Sequence, residues 1–194
     1  MFEYILGELT ELSPAHAVVE TAGIGYFINI SLQTYSTLEG KSSVKLWLHQ
    51  IVREDAHILY GFADTKERDL FRLLITVSGV GASTARLILS SLTTDEVKAA
   101  ITTENVNLIK QVKGIGLKTA QRIVVDLKDK VSADESSVQQ ILSTSNNTLK
   151  TEALSALVML GFTRSAAGKV IDQILKEMGD MPVEDLIKHA LKRL

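Results

Sequence analysis

The sequence predicts a multidomain α+β protein: a small closed β-barrel of the OB type, an all-helical tandem helix-hairpin-helix domain, and a short three-helix module at the end. Three observations carry this. The first 62 residues hold five short β-rich runs separated by turn signals. One Gly-x-Gly pattern occurs twice at an offset of 35 residues (114 minus 79), each copy between apolar runs spaced near three and four. A Ser/Asn/Gln-rich stretch at 131–147, read as a flexible linker, then separates this repeat from a final run of amphipathic helical pattern.

The barrel, residues 1–63, is read from runs at 5–9, 16–21, 26–30, 44–52 and 57–62. Ser13-Pro14, Gly23-Ile24-Gly25 and Glu39-Gly40-Lys41 divide them, and residues 34–38 suit a helical turn. Five short strands in so few residues favour a closed barrel, which removes exposed edges. Its aromatic residues are too sparse to assign base stacking. Arg53-Glu54-Asp55 falls at the turn between the last two runs, so two adjacent carboxylates project there.

Residues 64–130 read as helical throughout. Asp64 with Glu67, and Thr93 with Glu96, have the spacing of N-terminal caps. The first hairpin is Ser78-Gly79-Val80-Gly81-Ala82-Ser83-Thr84-Ala85-Arg86, and the second is Lys113-Gly114-Ile115-Gly116-Leu117-Lys118-Thr119-Ala120-Gln121-Arg122. Glycine permits positive φ and close approach, so such a turn aims several free N–H groups at the start of the following helix. With the positive end of the helix dipole they form an anion site, completed by Ser83 and Thr84 in one copy and by Lys118 and Thr119 in the other. The expected anion is a nucleic-acid phosphate, and two copies would hold two phosphates without reading sequence. The spacing of an ATP-binding P-loop is absent, because Leu117 stands where its lysine belongs, and no strand precedes either copy as a dinucleotide fold requires.

Composition narrows the remaining classes. The formal net charge is −2, but residues 63–130 carry 11 basic and 8 acidic groups, whereas residues 1–62 carry 3 and 7. The hairpin segment alone is basic, and only mildly, which fits backbone-amide contacts to phosphate better than a grip by lysine and arginine. There is no cysteine, and the histidines at 16, 49, 57 and 189 lack ligand spacing, so neither disulfide, metal nor cofactor is expected. No export leader or apolar run long enough to span a membrane is read, and the expected location is the cytoplasm.

The last segment, 148–194, reads as three helices over 149–160, 165–178 and 182–194, a small UBA-like module. Thr163 suits a cap of the second and Pro182 the first turn of the third. Its expected exposed group is Leu157, Leu160 and Phe162, a surface for a partner.

The order of these parts, with Gly23-Ile24-Gly25-Tyr26, Val52-Arg53-Glu54-Asp55-Ala56, Leu59-Tyr60-Gly61-Phe62, both hairpins and the stretch from Ala156-Leu157 to Gly161-Phe162, resembles the RuvA family of bacterial Holliday junction branch migration subunits. The resemblance implies a subunit without catalytic residues, acting in recombination and DNA repair. It would bind a four-way DNA junction as a homotetramer, or as an octamer of two tetramers face to face. The hairpins would hold duplex backbone through Gly79, Gly81, Ser83, Gly114, Gly116, Lys118, Thr119 and Arg122. Glu54 and Asp55 match an acidic pin, and Leu157, Leu160 and Phe162 match the surface that binds RuvB, a hexameric ATPase motor. RuvC, a resolvase, is the further partner implied. Ser83 stands where the family often has lysine, Lys113 where it has proline and Leu117 where it has another lysine, which would weaken the salt-dependent part of binding.

Two other readings compete. A helix-hairpin-helix DNA glycosylase would use Lys118 as nucleophile and Asp134, 16 residues on (134 minus 118), as its assistant, although the polar stretch around Asp134 offers no pocket. A repair adaptor would use barrel and tail for protein contacts and bind DNA only incidentally.

Overall fold

The chain is described by a computed structural model of residues 2–140, 145–179 and 181–194, of which 132–140 and 145–148 are described as backbone. Two units are resolved, Met1–Ser132 and Ala133–Leu194. In the first, strands β1 (Tyr4–Leu12), β2 (His16–Thr21), β3 (Ile24–Ile30), β4 (Ser43–Val52) and β5 (His57–Phe62) close a barrel in the order β1-β2-β3-β5-β4. Neighbours are antiparallel except β3 and β5, which run parallel with Ile28 opposite Leu59 and Ile30 opposite Gly61. Alternate residues turn inward, so Ile5, Val19, Ile28, Ile30, Leu46 and Leu48 fill the barrel. Gly7 is required by close approach, because a Cβ there would lie 2.1 Å from the Glu20 carbonyl oxygen.

Each expected strand is present, but the turn between β2 and β3 is tighter than the Gly23-Ile24-Gly25 signal implies. Ala22 and Gly23 alone make it, with φ of 52° and 79°, and Ile24 already pairs with Thr21. Two positive φ values in succession match the right-handed twist of the flanking strands. The expected turn at 34–38 is helix α1 (Leu32–Leu38), capped by Ser31.

After the barrel come α2 (Thr65–Leu74), α3 (Ala82–Ser91), α4 (Thr94–Thr102), α5 (Val106–Lys110) and α6 (Leu117–Gln140). Phe71 of α2 meets Tyr60 and Phe62 of β5 at ring-centroid distances of 5.1 and 4.9 Å. Those rings continue into the apolar residues of α3 to α6, so barrel and hairpins share a core. Helix α6 runs to Gln140, past the end expected near Lys130. The sequence from Val131 to Gln140 is polar but contains neither glycine nor proline, and nothing in it terminates a helix. Of the expected linker, residues 141–144 lie outside those described.

The second unit holds α7 (Ser145–Met159), α8 (Arg164–Met178) and α9 (Val183–Leu191). Ala153, Leu157, Ala167, Ile171, Ile174, Leu186 and Ala190 form its core. Thr163 caps α8, accepting the Ala166 N–H at 3.3 Å, whereas Pro182 is the N-cap of α9 and stands one place before the first turn expected for it.

A buried carboxylate joins α1 to α2. Asp64 caps α2 by accepting the Glu67 N–H at 2.8 Å. The Glu67 side chain does not reach back to complete a capping box. It accepts hydrogen bonds from the hydroxyls of Ser31 and Thr34, the latter at 2.7 Å. Those hydroxyls accept the Thr34 and Ala63 N–H groups, each at 3.0 Å, so the network is satisfied. Burial pushes the Glu67 carboxyl above the ordinary carboxylate range, against the pull of the two hydroxyls. The folded chain therefore holds this proton more tightly than the unfolded chain, and the contribution falls as pH rises from the unfolded pKa through the folded one. Glu67→Gln is expected to fold normally and to lose that pH slope in denaturant titrations. Glu67→Ala, which strands two buried hydroxyls, is expected to lose about 2–3 kcal/mol.

Candidate nucleic-acid interface

The two hairpins are the same structure at the same offset. The Val77 N–H donates to the Leu74 carbonyl at 3.1 Å, and 35 residues on the Val112 N–H donates to Ile109 at 3.2 Å. Val80 donates to Val77 at 3.0 Å and Ile115 to Val112 at 3.1 Å, while Ala85 and Ala120 open their helices on the carbonyls of Gly81 and Gly116. Val80 and Ile115, the residues between the glycines, are buried together with Val77 and Val112. Gly79 and Gly114 adopt φ of 90° and 86°, which turns the chain back on itself after each short helix.

The two hairpin helices, like α9 behind Pro182, start without the side-chain cap found at α1, α2, α4, α5 and α8. Asp64, Thr93, Asn105 and Thr163 each accept a hydrogen bond from a first-turn N–H of their own helix. Gly81 cannot, and α3 has no side-chain cap; Gly116 likewise brings no side chain to the start of α6. The first-turn amides of α3 and α6 are thus left for an outside acceptor, beside the positive end of each dipole. Ser83 and Lys118 stand exposed on those turns, with Thr84 and Thr119 half-buried beside them. The chemistry suits a phosphate oxygen.

The flanking cations divide into engaged and free. Arg68 pairs with Glu3 and Asp69, and Glu104 holds Lys128 above the ordinary lysine range. Arg86 donates to the Ala15 carbonyl at 2.7 Å and to the Asn29 side-chain oxygen at 3.2 Å, tying α3 to the barrel. Arg122 donates from Nη1 to the Ser78 carbonyl at 3.2 Å, which brings the second hairpin against the first. Lys110, Lys113 and Lys118 are exposed and have no acidic partner among the described residues. Lys110 belongs to no motif, and Lys113 stands in the sequence only as a departure from the family pattern. The signal for both was the local basic excess, which does not distinguish a paired cation from a free one.

Glu54 and Asp55 lie at the tip of the β4–β5 hairpin, closed by the Arg53 N–H to the Ala56 carbonyl at 2.8 Å. Both are exposed, and among the described residues no hydrogen bond or ion pair engages either carboxylate. Leu117, on the first turn of α6, is 47% exposed.

In the tail, the expected exposed group needs correction. Leu157 is fully buried and Phe162 half-buried, leaving only Leu160 outside, at 60% exposure. Ala153 and Leu157 are four apart and face α8 and α9, and the Phe162 N–H returns to the Leu157 carbonyl at 3.1 Å, folding the ring inward. The apolar surface consists instead of Val158, Met159 and Leu160, with Met159 89% exposed. A regular three-four spacing could have excluded Leu157, but only the packed structure reveals Met159.

Comparison with known proteins gives three family matches in chain order. Residues 1–61 match the RuvA N terminal domain, 71–129 a SAM-like helix-hairpin-helix tandem, and 148–194 the RuvA C-terminal domain. A curated relative from Bacteroides fragilis is 54% identical, and relatives from Bacteroides thetaiotaomicron and Christiangramia forsetii are each 53% identical. Each alignment covers all of both chains, and each relative is named Holliday junction branch migration complex subunit RuvA.

Gly79 and Gly114 have open space where a Cβ would sit, so an alanine there would meet only the backbone penalty of positive φ. Gly79→Ala and Gly114→Ala are each expected to cost about 1 kcal/mol in chemical denaturation. Equal stability to the parent would show that the left-handed turns are dispensable.

Proposed function

The chain belongs to the RuvA family, and from that membership we propose that it recognises four-way DNA junctions as a homotetramer and couples them to the RuvB ATPase. It is the non-catalytic DNA-binding subunit of a branch migration complex. The observation that carries the junction reading is the pair of uncapped hairpins. Each offers first-turn amides to one phosphate, and their repetition side by side suits two phosphates of one duplex arm. Gly79, Gly81 and Ser83 would serve the first contact and Gly114, Gly116, Lys118 and Thr119 the second, with Lys110 and Lys113 adding screened attraction. Backbone amides read no base, which is what a protein travelling along changing sequence requires. Fourfold symmetry would match four arms, either as one tetramer or as two face to face.

Glu54 and Asp55 would stand where strands part. A carboxylate about 4 Å from a phosphate is repelled by about 1 kcal/mol even at the dielectric of water, and several such pairs would keep strands from closing over the centre. Val158, Met159 and Leu160 would dock the motor, a flexible methionine-containing surface suited to that contact. RuvC would complete the assembly on chromosomal DNA in the cytoplasm. The glycosylase reading lacks support: Lys118 is exposed to water on the first turn of α6, and Asp134 belongs to the same helix several turns on.

A titration against a labelled four-way junction and an equal-length duplex, at two salt concentrations, tests the proposal. The expected outcome is strong preference for the junction, retained by the double substitution Glu54→Ala and Asp55→Ala while branch migration changes. Equal binding to both DNAs would reject the reading. In a second assay, Met159→Ser with Leu160→Ser is expected to leave junction affinity unchanged and reduce stimulation of the ATPase at least tenfold, the scale of losing about 1.4 kcal/mol of contact. Undiminished stimulation would remove this surface from the role.

A further inference from the structure

We infer that Arg122 is a positioning residue that braces the second hairpin against the first and so sets the separation of the two phosphate sites. The inference rests on the junction-binding reading for its consequence, but its structural basis stands apart from DNA. Arg122 lies in α6, six residues after Gly116, and its guanidinium reaches 44 residues back to the Ser78 carbonyl. Ser78 immediately precedes Gly79, whose positive φ starts the first turn. The brace therefore grips the first hairpin at its point of reversal.

The repeat makes the asymmetry informative. The position equivalent to Arg122 in the first copy is Leu87, and the position equivalent to Arg86 is Gln121. Each copy thus has one arginine, on adjacent faces, and neither is left pointing at solvent alone. Arg86 fastens the first copy to the barrel at Ala15 and Asn29, and Arg122 fastens the second copy to the first. Barrel, first hairpin and second hairpin are linked in series by two guanidinium-to-carbonyl contacts. A planar guanidinium holds direction as well as distance, which an ammonium at the same place does not.

The test compares Arg122→Ala and Arg122→Lys in the full-length protein, first without DNA and then with the junction. Amide hydrogen exchange reads the brace directly. The Val80 and Ala85 amides of the first hairpin are expected to exchange about three- to tenfold faster in both variants, the range of one lost hydrogen bond, while Ile115 and Ala120 keep their parent rates. General destabilisation would speed both sets alike and overturn the proposal. Junction affinity is expected to fall by a similar factor in both variants. Restoration of affinity by lysine would instead identify a simple phosphate contact, and so would a salt slope reduced by about one in the alanine variant alone; either result overturns the inference. Faster exchange with unchanged affinity overturns it too, since the brace would then not set the phosphate spacing. Should the parent protein show no junction preference, the functional reading fails, and unchanged exchange at Val80 and Ala85 is then what would overturn the brace.

Discussion

The interface depends on one apolar side chain in each hairpin. Val80 and Ile115 sit between two glycines, and burying them fixes which way the rest of the turn can face. With the central residue anchored inward and its N–H held by Val77 or Val112, the glycines and the first amides of the next helix face outward. Burial of one such side chain is worth about 1.5–3 kcal/mol, enough to hold a turn that glycine entropy would otherwise loosen. The binding surface is thus a by-product of core packing, repeated because the core pattern is repeated.

That arrangement explains how a chain with a net negative charge can present itself to DNA. The attraction does not come from a large cationic patch. Several basic side chains of the helical segment are already engaged within the protein: Arg68 on Glu3, Arg86 on the barrel and Lys128 on Glu104. What remains is partial charge on oriented amides with a few free lysines nearby, an arrangement of short range and little sequence preference. The bare carboxylates of Glu54 and Asp55 belong to the same distribution of charge, since neither is in an ion pair among the described residues.

Much of this was legible in the sequence because it follows from periodicity. The five strands, the paired hairpins and the caps at Asp64, Thr93 and Thr163 each have a local chemical cause, and local causes can be read without coordinates. What escaped depends on contacts between distant residues. Glu67 has the spacing of a capping partner, yet the hydroxyls of Ser31 and Thr34 draw it away across more than 30 positions. Leu157 carries no local mark of burial, because a short helix with apolar residues on several sides does not announce its inner face; packing against α8 and α9 decides that. Helix α6 outruns its expected end because polarity alone does not break a helix, which needs only the absence of breakers.

The barrel also has a mechanical consequence. Strand β5 carries the acidic turn at one end and Tyr60 and Phe62 at the other, where they pack on Phe71. It is held along its length by six registered partners on β4, from Val52 opposite His57 to Trp47 opposite Phe62. A push on the tip along the strand axis loads these hydrogen bonds together, in shear, and ends in an aromatic cluster rather than in a loop. The protrusion is accordingly stiff along the strand axis, and a force applied there is delivered to the helices that carry the hairpins.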